Sequence, residues 1–192
     1  KKISNNAPPP LAFKAVTYTG TGVNQSITGL GFQPDIVWVK CITQPTQHYW
    51  VNSVDGAGYY YVPNGTNMRT IATATQFQSF DSDGFSVGSD SGYNQNTQDF
   101  VAWCWKVNGG GSSPQANDET GISLVTYSGN QVSNRAIAHG LTTAPLVETV
   151  KKRSGGVNEF WCHLANPPMT GSGYVYRNYT QAFTLSGSPS IF

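Results

Sequence analysis

The chain has 192 residues, a formal net charge of +1 and only 11% charged residues, against about 25% in an ordinary globular domain. Because the charges nearly cancel, the composition favours neither nucleic acid nor a membrane as a partner, and no apolar run is long enough to span a bilayer. The aromatic content of 12% excludes a disordered polar tract. Hydroxyl and amide side chains supply the missing polarity, which is typical of an extracellular or assembled structural protein.

Residues 1–10 (KKISNNAPPP) predict an extended linker, because consecutive prolines fix φ and disfavour helix. No signal peptide opens the sequence, so we expect the chain to begin inside a longer polypeptide. From residue 11 to about residue 107, short segments rich in β-branched and aromatic residues alternate with Gly, Asn, Asp and Pro, which predicts antiparallel strands. The predicted strands of this first unit are residues 13–18, 35–40, 48–51, 58–62, 84–87 and 100–106.

Two acidic residues, Asp81 and Asp83, lie close together in the segment FDSDGF. Asp tolerates turn geometry and Gly supplies a positive φ, so the segment predicts a hairpin turn. The alternatives are a calcium site, which needs more ligands than the segment offers, and a catalytic carboxylate pair. We interpret it as a turn.

A glycine-rich segment separates two similar halves of the chain. Residues 108–120 predict a flexible linker, because glycines dominate and apolar residues are scarce. Residues 16–20 (VTYTG) recur as residues 125–129 (VTYSG), and Trp50 matches Trp161 at an offset of 111 residues. The other pairs at that offset are Gly29 with Gly140, Leu30 with Leu141, Pro34 with Pro145, and residues 39–40 with residues 150–151.

A repeat near 110 residues is the size of a complete small β domain. The sequence therefore predicts an all-β protein with two tandem antiparallel β-sandwich domains of jelly-roll type, residues 11–107 and 121–192. The second unit is shorter and has no counterpart of residues 99–106. We expect either that the chain continues or that the missing strand comes from elsewhere, since an open sheet edge invites pairing.

Catalysis is not expected, and we predict no cofactor and no metal. His48, His139 and His163 show no consistent partner spacing, and no nucleophile motif occurs. The three cysteines are too widely spaced for a disulfide framework or a zinc site. Cys104 lies in an apolar strand and is interpreted as a small buried residue.

Aromatic residues are the better functional signal. Tyr59, Tyr60 and Tyr61 place two rings on one side of a predicted strand and one on the other, so they are candidate ligand-contacting residues for a sugar. Trp38, Trp103 and Trp105 are expected in the core or at an interface, and we expect truncation of Trp38 to be as costly as that of a core residue. Trp50 and Trp161 are expected to superpose.

Five segments carry a family resemblance: residues 16–20, 27–40, 52–56, 79–88 and 101–106. In this order they are similar to repeated modules of tail-fibre or capsid-fibre proteins of tailed phages, many from marine phages. The resemblance implies a non-enzymatic structural and binding module of a virion appendage that displays loops for host-surface attachment. Its implied partners are other virion proteins and a host surface glycan.

An alternative is a carbohydrate-binding module of a secreted bacterial enzyme or adhesin. Phage fibre proteins are usually symmetric homo-oligomers, so the resemblance also implies an oligomer, for which a trimer is the first choice. The low charge agrees with this, because such surfaces pack against a second copy without burying unpaired charges.

Overall fold

The computed structural model describes residues 12–108, 113–132 and 135–154, together with the backbone of three later strands. It is nearly all-β, with several antiparallel sheets, which confirms the predicted class. The elements are β1 Phe13–Thr19, β2 Gln25–Thr28, β3 Ile36–Cys41, β4 His48–Asn52, β5 Tyr59–Tyr60, β6 Thr70–Ile71, β7 Phe77–Asp81, β8 Gly84–Val87, α1 Ser91–Asn94, β9 Asp99–Trp105, β10 Gln115–Asn117, β11 Ile122–Leu124, β12 Val147–Lys151, β13 Phe160–Leu164, β14 Gly173–Tyr176 and β15 Thr184–Leu185.

Two sheets of the first unit share one core. The main sheet has the strand order β1-β9-β3-β4, and a second sheet has the order β2-β8-β7. One face of the main sheet contributes Val37, Val39 and Phe100 to the core cluster, and the second sheet contributes Phe77 and Phe85. The core thus lies between the two sheets, where alternate residues of each strand are removed from water.

Strand β9 lies inside the main sheet, between β1 and β3, and its alternating side chains point to the core and to the opposite face. It pairs with β1 along its whole length and with β3 from Phe100 to Trp105. Phe100, Ala102 and Cys104 are fully buried on the core face, whereas Trp103 and Trp105 point to the opposite face and stay partly exposed. Because the strand is apolar on both sides, its sequence alone did not identify the core face.

The predicted hairpin at residues 80–85 is present as β7 and β8, with Asp81 opposite Gly84. Asp83 accepts hydrogen bonds from the backbone N–H groups of Gly29 and Gly31, which join the turn to the loop after β2. Gly84 is required at the start of β8, because a Cβ there would lie 1.8 Å from the carbonyl oxygen of Ile27. The two aspartates therefore have a turn-forming role.

Among the described residues, helix is confined to the single turn α1, whose formation depends on tertiary contacts. Asp90 caps it by accepting a hydrogen bond from the N–H of Gly92 at 2.8 Å. The buried amide of Asn94 accepts from Thr21 N–H and donates to the carbonyl of Gly88. These contacts come from distant parts of the chain, which is why helical periodicity did not predict the turn.

The segment predicted as a linker contains structure of its own. Residues 109–112 lie outside the described part of the chain, but β10 pairs antiparallel with β11 and begins at Gln115, which is 3% exposed. Ser53 lies between Asp35 and Gln115, with its hydroxyl oxygen 2.8 Å from a carboxylate oxygen of Asp35 and 3.1 Å from Oε1 of Gln115. The end of the linker is therefore fixed to the first unit.

The repeat is visible in equivalent hairpins, β3–β4 and β12–β13. Their registers differ by one residue: Trp38 is opposite Trp50, whereas Val150, the counterpart of Val39, is opposite Trp161. The ungapped match of Trp50 with Trp161 in the sequence therefore does not extend to strand pairing. The side chain of Trp161 lies outside the described residues, so the expected superposition of the two rings stays a prediction.

Candidate functional site

The face of the main sheet opposite the core carries most of the tryptophans. Trp38 stacks edge-on against Trp103, with ring centroids 5.9 Å apart, and its Nε1 donates to Nδ1 of His48 at 3.1 Å. Trp50 lies opposite Trp38 on the neighbouring strand, and Trp105 lies on β9. The expectation that Trp38 is a core residue is wrong, since strand alternation places it on the outer face; the alternative expectation, an interface, is the one that the structure supports.

A cleft of about 460 Å³ lies where the second unit meets this tryptophan face. Its walls are mainly aromatic and aliphatic side chains, which is typical of binding sites. From the first unit come Ile36, Trp38, Trp50, Asn52, Val54, Asp55, Tyr61 and Trp105, and from the second come residues 122–126, Val147, Thr149, Lys151 and Arg153. We call this the junction cleft.

Asp55 is the electrostatic centre of the junction cleft. Its carboxylate, 2% exposed, bonds to Arg69 at 2.8 Å and to Arg153, which comes from the second unit. Tyr61 Oη donates to it at 2.7 Å and Asn52 Nδ2 at 3.0 Å. Burial alone raises the pKa of Asp55, but the hydrogen bonds from these four donors outweigh it, so the pKa is lowered and the carboxylate stays ionised.

This network positions the loop between β4 and β5. The N–H of Asp55 donates to Oδ1 of Asn52 at 3.0 Å, so the side chain of Asn52 holds the turn that follows β4. The Arg69 guanidinium also lies 3.9 Å from the ring centroid of Tyr59, so it is held by both a carboxylate and an aromatic face. The carboxylate of Asp55 thus joins two units that are far apart in sequence.

The three candidate tyrosines have different positions. Tyr61 lines the junction cleft and bonds to Asp55, and the ring of Tyr59 is covered by Arg69. Tyr60 faces the other way, packs against the core and meets Tyr49 at a centroid distance of 5.6 Å. Each of the three rings contacts other residues of the protein, and of the three only Tyr61 lines the junction cleft.

The remaining polar candidates have structural partners. His139 accepts a hydrogen bond from the N–H of Leu141 at 3.1 Å, and the side chain of His163 lies outside the described residues. Cys41 and Cys104 are buried free thiols, and burial raises the pKa of Cys104 to about 12. Among the residues that the structure describes, no three His, Cys, Asp or Glu side chains group as a metal site would need, and no helix is long and apolar enough to cross a membrane.

A family model described as a domain of unknown function, DUF7483, matches residues 9–186. The chain belongs to the DUF7483 family. No curated protein and no solved structure matches it. The junction cleft and the Asp55 network lie within the part of this DUF7483 chain that the family model covers.

Sequence reasoning did not find the Asp55 network. Asp55 lies in one of the five segments that carry the family resemblance, but its partner Arg153 is 98 residues away and in a different unit. A single Asp and a single Arg have no recognisable spacing at that distance. The signal that was present is the clustering of tryptophans, which pointed to an interface without identifying its partner.

Proposed function

We propose that this DUF7483 chain is a non-enzymatic structural and binding module of a bacteriophage virion appendage, a tail fibre or a capsid fibre, with a role in host-surface attachment. In this proposal its repeats are tandem antiparallel β-sandwiches of jelly-roll type, and the protein is a homo-oligomer, first a trimer, in contact with other virion proteins. The support for the virion is the resemblance of five segments to repeated fibre modules.

The observation that carries the binding role is the junction cleft. Its walls are mainly apolar, and the one carboxylate among its described lining residues, Asp55, accepts hydrogen bonds from four donors. A general acid or base must be able to exchange a proton with a bound substrate. A carboxylate held ionised by two guanidinium groups is suited to fixing the architecture of a binding site.

Immunolabelling of purified phage particles tests the virion role. An antibody raised against the whole chain should decorate tail or capsid fibres in electron micrographs, and mass spectrometry of the same particles should detect its peptides. Particles that lack the polypeptide altogether, in a culture that expresses it, would contradict the proposal.

A second candidate is a carbohydrate-binding module of a secreted enzyme or adhesin, and the tryptophans of the junction cleft favour it. Sugars stack on aromatic rings such as those of Trp38, Trp50 and Trp105. Titration of the chain with soluble polysaccharides, followed by tryptophan fluorescence, tests this function. A saturable change that Trp50→Ala abolishes would support it, whereas unchanged fluorescence across the polysaccharides would oppose it.

A further inference from the structure

Strand β1 is an end strand of the main sheet in the part of the chain that the structure describes. It pairs with β9 along its whole length, and no described strand pairs with its other side. Lys106 N–H donates to the carbonyl of Ala12 at 2.8 Å, so the backbone groups of the even-numbered residues of β1 face β9. The N–H and carbonyl groups of Phe13, Ala15 and Thr17 therefore point outward from the sheet.

The side chains along this edge are open to solvent. Phe13 is 47% exposed, although its ring lies 5.1 Å from that of Trp105 between centroids, and Ala15 and Thr17 are exposed as well. All three side chains lie on the outer face of the main sheet, because side chains alternate along a strand. Among the described residues, their outward backbone groups have no hydrogen-bond partner. Such a row of donors and acceptors can pair with another strand.

The edge of β1 lacks the features that usually protect an end strand. Those features are proline, a bulge, a very short strand, or a lysine that guards the edge. Strand β1 has seven residues, no proline and an unbroken register with β9. Its one lysine, Lys14, points to the inner face, where its ammonium group donates to the carbonyl of Gly29. Lys14 therefore does not shield the edge.

We propose that β1 pairs antiparallel with β1 of a second copy of this chain, about a two-fold axis at Ala15. In this register Ala15 lies opposite Ala15 of the second copy, and Phe13 lies opposite Thr17 on either side of the axis. Every outward N–H and carbonyl of these three residues then gains a partner. The same patch is used on both chains, so the contact closes after two chains and joins their main sheets into one.

Other registers of the two strands are less favourable. A shift of two residues in one direction places Lys14 opposite Lys14, and like charges directly opposite each other are destabilising. A shift of two residues in the other direction needs the carbonyl of Thr19, which already accepts a hydrogen bond from Nε2 of Gln25 at 3.3 Å. A shift of one residue places outward backbone groups opposite residues whose own groups face β9.

The side chains of the edge suit a second copy of the same chain. On the outer face, Phe13 against Thr17 is an aromatic and β-branched pair, which is favourable across strands, and the small Ala15 leaves room at the axis. On the inner face, Lys14 lies opposite Val16, so no two like charges are opposite each other. The net charge of +1 adds little repulsion between copies. The edge is therefore self-complementary.

Pairing through β1 directs the tryptophan faces of both copies the same way, because the two-fold axis is perpendicular to the joined sheet. Within one copy, cross-strand neighbours form a row across the four strands: Ala15, Trp103, Trp38 and Trp50. The row of the second copy continues it beyond Ala15. The pair thus presents two junction clefts on one side, which raises the apparent affinity for a repetitive ligand. This consequence rests on the proposed binding role, whereas the pairing itself does not.

Light scattering coupled to size-exclusion chromatography of the full chain, in reducing buffer, tests the pairing. We expect an assembly with an even number of chains that dissociates on dilution. Ala15→Lys places two ammonium groups opposite each other at the axis and should weaken association at least about tenfold. Ile71→Lys, at a residue of β6 that is 73% exposed and lies outside the edge, is the matched control and should leave association unchanged.

A charge exchange at the axis tests the register. Ala15→Glu alone should also weaken association, because two carboxylates then meet. An equal mixture of Ala15→Lys and Ala15→Glu chains should restore association, because opposite charges face each other at the axis. Recovery in the mixture requires that both variants are folded, so it separates loss of pairing from loss of the fold.

Four outcomes would overturn the inference: a parent chain that stays monomeric, an assembly with an odd number of chains, association that Ala15→Lys does not weaken, or a mixture that does not recover. An assembly of three chains that is insensitive to Ala15→Lys would assign the oligomer to a three-fold contact elsewhere on the chain. A chain that decorates phage fibres and yet fails these tests would contradict the edge pairing alone and leave the virion proposal standing.

Discussion

The two repeats share a sequence pattern but differ in what surrounds their equivalent strands. In the first unit, β3 lies between β4 and β9 and is covered by a second sheet, so Val37 and Val39 are fully buried. In the second unit, β12 is the end strand of its sheet among the strands that the structure describes, and Val147 is exposed. An apolar strand pattern therefore shows which residues can be buried, whereas the neighbouring strands determine which of them are buried.

The largest expected effect is a difference in the free energy of unfolding between variants on the two faces of β9. Phe100→Ala should lower the free energy of unfolding by about 3–5 kcal/mol, because it opens a cavity in the core of the first unit. Trp103→Ala, on the same strand but on the partly exposed outer face, should cost clearly less. Chemical denaturation of the two variants measures both values, and equal losses would mean that the outer face is as tightly packed as the core.

The next effect concerns the link between the units. Asp55→Asn removes the charge that holds Arg69 and Arg153 and should destabilise the fold by about 1–3 kcal/mol, since buried donors lose their acceptor. Asp99→Asn, at an exposed carboxylate, is the matched control and should change stability little. Urea midpoints compare the variants, and a neutral Asp55→Asn would show that the network does not hold the junction together.

A pH titration of stability tests the same role of Asp55. The folded-state pKa of Asp55 lies below its unfolded value of about 3.9, so its stabilising effect is present above that value and is lost as pH falls through the folded pKa. The parent chain should lose more stability than Asp55→Asn on acidification below about pH 4. Parallel losses in the two proteins, measured by denaturant midpoints, would contradict the assignment.

The smallest effect is on reactivity rather than stability. In a Cys162→Ser background, the thiols of Cys41 and Cys104 should resist a thiol reagent until denaturant is added, because the reagent cannot reach either buried side chain. Burial also raises the pKa of Cys104 to about 12, so that thiol forms little reactive thiolate. The reaction is followed by the absorbance of the chromophore that the thiol reagent releases. Rapid labelling of the native protein would show that the core of the first unit opens readily.

Much of the fold was predictable because strand signals are local. The strands at Ile36–Cys41 and Asp99–Trp105 and the hairpin around Asp81 and Asp83 follow from alternation and turn chemistry. The face on which Trp38 lies did not follow, because a strand that is apolar on both sides has no polar face to mark the solvent.

The candidate site was less predictable because it depends on distant contacts. The tryptophans indicated an interface, but the Asp55–Arg153 pair joins different units and has no local pattern. Strand β10 was hidden in a segment whose glycines predicted flexibility. The pairing of β12 with Phe160–Leu164, shifted by one residue, shows that register is set by the packed neighbours as well as by sequence identity between repeats.

Backbone amide hydrogen exchange in the free chain tests the central difference between the units most directly. Among the described strands, β12 pairs with β13 alone, whereas β3 pairs with β4 on one side and with β9 on the other. On average, the backbone amides of Val147–Lys151 should exchange at least about tenfold faster than those of Ile36–Cys41. Equal protection of the two strands would contradict the account.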